Sequence, residues 1–239
     1  MADASLARGA DWGIHIVLPM FDPTAHKSVK HHYRRVETAL NHELKRHKIT
    51  DPQQVLDLKL YAYATISVEN AAFTCRDEDI SRYNTAEHHP VPPPSFESVK
   101  PIHAVYEALI CQYGLDKPFA KYDHRMGNSK QGMGALYRGR GFIQLTGHDN
   151  YIKYAKLAHA PEITTHPNRA GDPDIAARIL AAYVLHNSQR ILTALGKGDF
   201  VKARAVVNGS QHPHGVQKLE RNFKLGRSLV GHPSANVKH

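Results

Sequence analysis

Apolar residues recur with helical spacing near the start of the chain. Val29, Tyr33, Val36, Leu40 and Leu44 follow one another at steps of four, three, four and four positions, with lysine, arginine and histidine between them. Steps of three and four place side chains on one face of an α-helix. The pattern therefore predicts an amphipathic helix over these residues.

A second helix is predicted to begin after Asp51. The Asp51 carboxylate can cap the first turn, Pro52 suits that turn, and Gln54 can close a capping box. The apolar positions that follow extend the helix to about Glu69.

Helical spacing returns between Val99 and Tyr113, after the prolines of 90–94, and Gly114 ends that segment. Further on, Asp172 is positioned to cap one long helix that runs through Leu195. Two more helices are predicted over 199–207 and 216–229. These elements make the chain mainly α-helical.

The run LYRGRGFIQLTG (136–147) has a different period. Arg138, Arg140, Phe142, Gln144 and Thr146 alternate with residues that are mostly apolar or glycine. Alternation with a period of two is typical of a β-strand. We therefore expect a small β-hairpin here, with these five side chains on one face.

Composition narrows the class of protein. The 239 residues contain 41% hydrophobic and 22% charged residues, which is ordinary globular usage and excludes a wholly disordered chain. The formal net charge of +9 favours an anionic partner such as a cell-wall polymer, nucleic acid or lipid headgroups. We find no pattern typical of a signal peptide or a membrane span, so stable membrane insertion is not expected.

The sequence gives little support for a metal site or for a catalytic nucleophile, although it contains 18 histidines. His42 and His47 lie five positions apart, whereas the HExxH zinc motif requires four. The two cysteines, Cys75 and Cys111, fit no zinc motif, although a single disulfide remains possible. No GxSxG or GxxxxGK[ST] motif occurs, so a serine hydrolase elbow and a phosphate-binding loop are not indicated.

Two glutamates remain as candidates for acid–base chemistry. Glu69 ends an apolar helix, and Glu78 follows nine residues later in a loop that also contains Asp77 and Asp79. An acid among apolar neighbours has a raised pKa, while one among polar groups stays ionised. Such a pair suits glycoside hydrolysis, although loop carboxylates are more often simply solvated.

The strongest motif is YRGRGFIQLTGHDNY (137–151), which resembles the signature of family 19 glycoside hydrolases, the chitinases and related endolysins. Shorter similarities support it: the helix ending in ATISVENAAF (64–73), the tripeptide YNT (83–85), YDHRMGN (122–128) and ARAVVNGS (203–210). The resemblance extends from about Ser28 to Leu229. The pattern is closer to the bacterial and phage wall-lytic branch than to plant chitinases.

The resemblance implies a two-lobed lysozyme-like fold with the small β-hairpin at the cleft. It assigns Glu69 as the general acid, Glu78 as the base and Thr146 as the hydroxyl that helps to hold the attacking water. The resemblance, together with the alternation at 136–147, also predicts seven residues that bind sugar. They are Arg138, Arg140, Gln144, Asn150, Tyr151, Asn208 and Arg221.

The expected activity is hydrolysis of β-1,4 glycosidic bonds in peptidoglycan, with inversion and without a cofactor or metal. Chitin is the alternative substrate. Because Val68 and Asn70 replace the family's usual neighbours of the acid, a catalytically weakened wall-binding or toxin module is a further alternative. The hypothesis that the protein binds nucleic acid is supported by the net charge alone, so no nucleic-acid partner is expected.

Residues 28–230 are predicted to form the hydrolase domain, between a lead segment over 1–27 and a flexible tail over 231–239. Within the domain, 86–121 is longer than in typical family members and is interpreted as an inserted connector and helix. The protein is expected to be made in the cytoplasm and to reach the periplasm or cell wall through phage-type lysis or specialised secretion. A delivery apparatus or an immunity protein is then a possible partner.

Overall fold

The computed structural model describes residues 13–70, 73, 119–208 and 213–231, and these residues are mainly α-helical. Within them lie ten α-helices: α1 (Ile14–Val17), α2 (His26–Arg46), α3 (Pro52–Glu69), α4 (Met133–Leu136), α5 (His148–Leu157), α6 (Glu162–Thr165), α7 (Pro173–His186), α8 (Ser188–Gly196), α9 (Phe200–Val207) and α10 (Pro213–Gly231). Single turns of 3₁₀-helix occur at Leu18–Met20, Pro23–Ala25, Ala120–Tyr122 and Pro167–Gly171.

The first two predicted helices are confirmed. In α2 the apolar stripe is buried at Val29, Val36, Leu40 and Leu44. At the start of α3 the Asp51 carboxylate accepts a hydrogen bond of 2.8 Å from the backbone N–H of Gln54, which satisfies one of the donors left open at a helix N-terminus.

The long helix expected over 173–195 is wrong, because two helices meet at Asn187. The backbone of Asn187 leaves helical geometry (φ −103°, ψ 11°), and its side-chain amide donates to the Tyr183 carbonyl at 2.9 Å. Asparagine side chains compete with the backbone in this way, which favours a helix end. The predicted start of the following helix, α9, is confirmed. The Asp199 carboxylate caps it by accepting a hydrogen bond of 2.9 Å from the Lys202 N–H.

The segment 136–147 contains a tight turn rather than two regular strands. Arg140 and Leu145 form a single antiparallel bridge, and in the described residues no longer strand is assigned. The chain reverses over 141–144, where Gly141 and Gln144 both have positive φ (76° and 52°). The α5 helix, which the alternating pattern did not predict, begins directly after this turn.

The chain divides into two compact units. The first comprises Met1–Thr74 with Leu180–His239, and the second comprises Cys75–Ile179. In the first unit α3 packs mainly against α10, and every residue from Asp57 to Ser67 is buried. In the second unit α5 packs against α6, and its buried residues include Phe142 and Ile163 of α6.

The described part of the predicted lead segment contributes to the first unit. Ile16, Val17 and Met20 are buried, and the Met20 carbonyl accepts a hydrogen bond of 3.0 Å from the Asn222 amide of α10. The predicted helix over 99–113, and the tail beyond residue 231, lie outside the described residues. Across the ranges that are described, no helix is both long enough and apolar enough to cross a membrane.

Candidate functional site

Glu69, the expected general acid, is the last residue of α3 in the first unit. Its side chain is only 13% exposed and forms an ion pair with Arg204 of α9, with 2.5 Å between Glu69 Oε1 and Arg204 Nη1. The Arg204 side chain is itself only 8% exposed. The carboxyl group therefore lies in a largely dry environment with a cation in contact.

Two opposing effects act on the Glu69 carboxyl group. Burial raises its pKa, because the charged form loses hydration, and the neighbouring Arg204 partly offsets the rise. The pKa remains above the ordinary value for glutamate. A carboxyl group in this state keeps its proton to a higher pH, as a general acid requires.

Two tyrosines, Tyr61 buried and Tyr183 partly buried, connect α9 to its neighbours on either side of Arg204. Tyr61 of α3 donates its hydroxyl hydrogen to the Ala203 carbonyl at 2.9 Å, and Tyr183 of α7 donates to the Val206 carbonyl at 2.8 Å. Burial raises the pKa of both hydroxyl groups, so both stay protonated and act as donors. These bonds hold the helix that carries Arg204.

The α10 helix approaches the ion pair closely at Gly215. A Cβ atom placed on Gly215 would lie 3.2 Å from Arg204 Nε and 3.6 Å from Val68 Cγ1. The absence of a side chain at this position allows the backbone to pass directly over the guanidinium group. The approach limits how far Arg204 can move from Glu69.

Of the two late residues expected to bind sugar, Asn208 directly follows the helix that carries Arg204. It follows α9, and its backbone N–H donates to the Arg204 carbonyl at 3.1 Å. Arg221 is exposed on α10, where its Nε donates to the Asn222 side-chain oxygen at 3.4 Å. Both residues belong to the same unit as Glu69.

The second unit brings three predicted residues together. The Thr146 hydroxyl donates to the Gln144 carbonyl at 2.8 Å, and the Asn150 amide donates to the Thr146 carbonyl at 2.8 Å. A Cβ atom on Gly139 would lie 3.0 Å from Gln144 Oε1 and 3.2 Å from Thr146 Oγ1, so both side chains lie over that glycine. All three predicted residues are partly exposed and offer polar atoms to a ligand.

Three other predicted residues are buried instead: Arg138, Arg140 and Tyr151. Arg140 is 1% exposed and donates to the Leu136 carbonyl and the Tyr151 hydroxyl, both at 2.9 Å. The Tyr151 hydroxyl donates to the Arg138 carbonyl at 2.9 Å. The expected common face with Gln144 and Thr146 is therefore wrong, because the turn at 141–144 interrupts the alternation. The side chains of the two arginines donate to the carbonyl groups of residues 135, 136 and 138 that precede the turn, and their contact with sugar stays a prediction.

Several predicted residues lie outside the described part of the chain. They include Glu78, the expected base, and its neighbours Asp77 and Asp79, together with Cys75, Cys111 and the tripeptide at 83–85. Among the residues that are described, no group of three or more histidine, cysteine, aspartate and glutamate side chains could hold a metal ion.

Arg204 is the functional candidate that the sequence did not single out. It lies within ARAVVNGS (203–210), but its burial could not be predicted from its neighbours, which are Lys202 and Ala203 before it and Ala205 and Val206 after it. A basic residue inside a motif that already resembles an active-site segment is the signal that would have found it. The contact with Glu69 depends on how α3 and α9 pack.

Comparison of the chain with models of known protein families gave no match, and comparison with curated proteins gave none either. The family resemblance therefore rests on the sequence motifs alone.

Proposed function

We propose that this protein is a lysozyme-like glycoside hydrolase that cleaves β-1,4 glycosidic bonds of peptidoglycan. The observation that carries the proposal is Glu69, a largely buried carboxyl group with a raised pKa, held by Arg204 at the end of a helix whose sequence resembles that of the family acid. The two-lobed lysozyme-like fold with a β-hairpin at the cleft is part of the proposal.

In the proposed mechanism Glu69 donates its proton to the oxygen of the leaving sugar. Glu78 deprotonates a water molecule that Thr146 helps to hold, and the water attacks the anomeric carbon with inversion. This chemistry needs roughly 6.5–9.5 Å between the two carboxyl groups, whereas a separation of about 5–5.5 Å is typical of retaining enzymes. No cofactor takes part, and the acid and base are the reacting groups of the protein.

Glu69→Gln tests the proposal, because the amide keeps the shape of the side chain but cannot donate the proton. Turnover of purified peptidoglycan, measured by mass spectrometry of the released fragments, is expected to fall roughly 10²–10⁴-fold. Binding to insoluble cell wall should stay close to that of the wild type.

The matched control is Glu43→Gln, since Glu43 is also a buried glutamate paired with an arginine, Arg46 at 2.7 Å. It should leave turnover unchanged. Near-normal turnover by Glu69→Gln would show that the glycosidase proposal is wrong. Wall binding by the wild-type protein without any release of fragments would instead support the weakened wall-binding module.

A parallel digest of chitin oligomers distinguishes the two substrates, and Glu78→Gln tests the base. We expect Glu78→Gln to lose turnover to a similar degree. If it retains activity, Asp77 or Asp79 must be considered as the base, because they share its segment of the chain.

A further inference from the structure

A cavity of about 310 Å³ lies within the first unit, between the N-terminal turns and α10. Its walls include Met20, Phe21 and Asp22 on one side, Lys218 and Arg221 on the other, and Ser67 of α3. The volume is at the lower end of that of ligand pockets, so it suits one substituent rather than a chain of sugars.

The cavity carries more positive than negative charge. Lys218 and Arg221 lie three positions apart on α10, so they are neighbours on its surface. Neither forms an ion pair with a carboxylate in the part of the chain that the structure describes. Burial and the nearby Arg221 together lower the pKa of Lys218, consistent with two cations that face a common space.

Asp22 is the acidic group in the cavity wall, and its carboxylate is already engaged. Asp22 Oδ1 accepts hydrogen bonds from the Thr24 N–H at 3.0 Å and from the Thr24 hydroxyl at 2.6 Å. These bonds cap the turn at Pro23–Ala25. One carboxylate oxygen therefore serves the local turn, and Lys218 and Arg221 together outweigh the single negative charge of Asp22 in the cavity wall.

Helix geometry places this cavity beside the candidate acid. Gly215 lies against Arg204, the partner of Glu69, and Lys218 follows it by about one turn on the same face of α10. One further turn on, the Asn222 amide donates to the Ser67 hydroxyl at 2.7 Å. One turn of helix is about 5.4 Å, so the cavity begins about one turn of α10 from the ion pair.

We propose that this cavity is a subsite for a substrate carboxylate, which Lys218 and Arg221 bind by charge-assisted hydrogen bonds. The inference rests on the proposed function and names the feature that selects peptidoglycan over chitin. In peptidoglycan alternate sugars carry a lactyl group, which is a free carboxylate where no peptide is attached. Where a peptide is joined to it by an amide bond, the carboxylates belong to the peptide, whereas chitin is neutral throughout. A cationic cavity near the acid would recognise a carboxylate at this place on the sugar.

The test compares the disaccharide of N-acetylglucosamine and N-acetylmuramic acid with its carboxamide derivative, which has the same shape but no charge. Binding of both to the full-length protein is measured by calorimetry. The wild type should bind the acid at least about tenfold more tightly than the amide. The double variant Lys218→Gln with Arg221→Gln should abolish that preference, so that it binds the acid no more tightly than the amide.

Lys224→Gln is the matched control, because Lys224 is exposed on the same helix and is paired with Glu220. It removes one charge outside the cavity and should keep the preference. Equal binding of acid and amide by the wild type, or a preference retained by the double variant, would overturn the proposal. An equal loss in Lys224→Gln would also overturn it, because it would show unspecific attraction.

The binding experiment does not depend on catalysis, so its failure is distinguishable from failure of the proposed function. If Glu69→Gln abolishes cleavage but the acid and amide bind equally, the hydrolase proposal survives and the carboxylate subsite does not. Thermal melting of each variant confirms that it is folded before binding is compared.

Discussion

The contact between Glu69 and Arg204 combines two effects that a single residue could not supply. Burial favours the neutral carboxyl group, and the guanidinium group favours the charged one. Because burial is the larger effect, the carboxyl group keeps its proton to a higher pH than an ordinary glutamate does, while the guanidinium group stays in contact with it. The pair therefore suits a group that must release its proton once per turnover and then recover it.

Arg204→Met should raise the pKa of Glu69 further, since it removes the cation that lowers it. A general acid works when protonated, so activity is present below its pKa and is lost as the pH rises through it. We expect the alkaline limb of the pH profile of kcat to move upward by about one pH unit or more. The control is Arg46→Met, which removes the arginine paired with the buried Glu43 and should leave the alkaline limb at the same pH. An unchanged limb in Arg204→Met would show that Arg204 does not influence the acid.

At the scale of elements, the packing of α10 on α3 is the central contact of the first unit. The helices approach closely at Gly226, where an added Cβ atom would collide with the side-chain ends of Leu60 of α3 and Met20. Since α3 carries Glu69 and α10 carries Lys218 and Arg221, this contact sets the relation of the acid to the proposed subsite.

Gly226→Val should destabilise the protein by about 1–3 kcal/mol, because extra methyl groups must be accommodated in a packed helix contact. Gly196→Ala, at the end of α8 where a Cβ atom meets no neighbour within 4 Å, should instead stabilise it by about 0.4–1 kcal/mol. Urea unfolding measures both changes. A neutral effect of Gly226→Val would mean that α10 can shift on α3 without cost.

At the scale of the whole molecule, the net charge of +9 is partly concentrated on one helix. Four exposed basic side chains lie on one face of α2, at steps of three, one and three positions. They are Lys27, Lys30, His31 and Arg34. Such a face attracts anionic polymers over distances that depend on ionic strength. It suits a protein that must find a charged and insoluble substrate.

Raising the salt concentration should therefore weaken binding to cell wall and slow its lysis, because the Debye length falls to about 8 Å at physiological ionic strength and shortens further above it. Sedimentation with purified wall and a turbidity assay measure the two effects. Cleavage of a neutral soluble chitin oligomer, if it occurs, is the control and should change little. Wall binding that is independent of salt would show that the charge has no part in recognition.

The sequence alone determined the features that depend on neighbouring residues. The stripe from Val29 to Leu44 predicted α2, and Asp51 and Asp199 predicted the starts of α3 and α9, because apolar period and capping are local properties. The end of α3 at Glu69 was predicted in the same way. The motifs also singled out Gln144, Thr146 and Asn150, which the structure brings together in the second unit.

Only the tertiary structure decided which polar residues are buried and what they contact. Arg140 alternates with apolar residues and resembles a surface position, yet it is buried and donates to the Leu136 carbonyl and the Tyr151 hydroxyl. Arg204 pairs with Glu69 across 135 positions of sequence, through the packing of α3, α9 and α10. Burial and long-range contact arise from the sum of many weak packing interactions between elements, and a local pattern does not contain that sum.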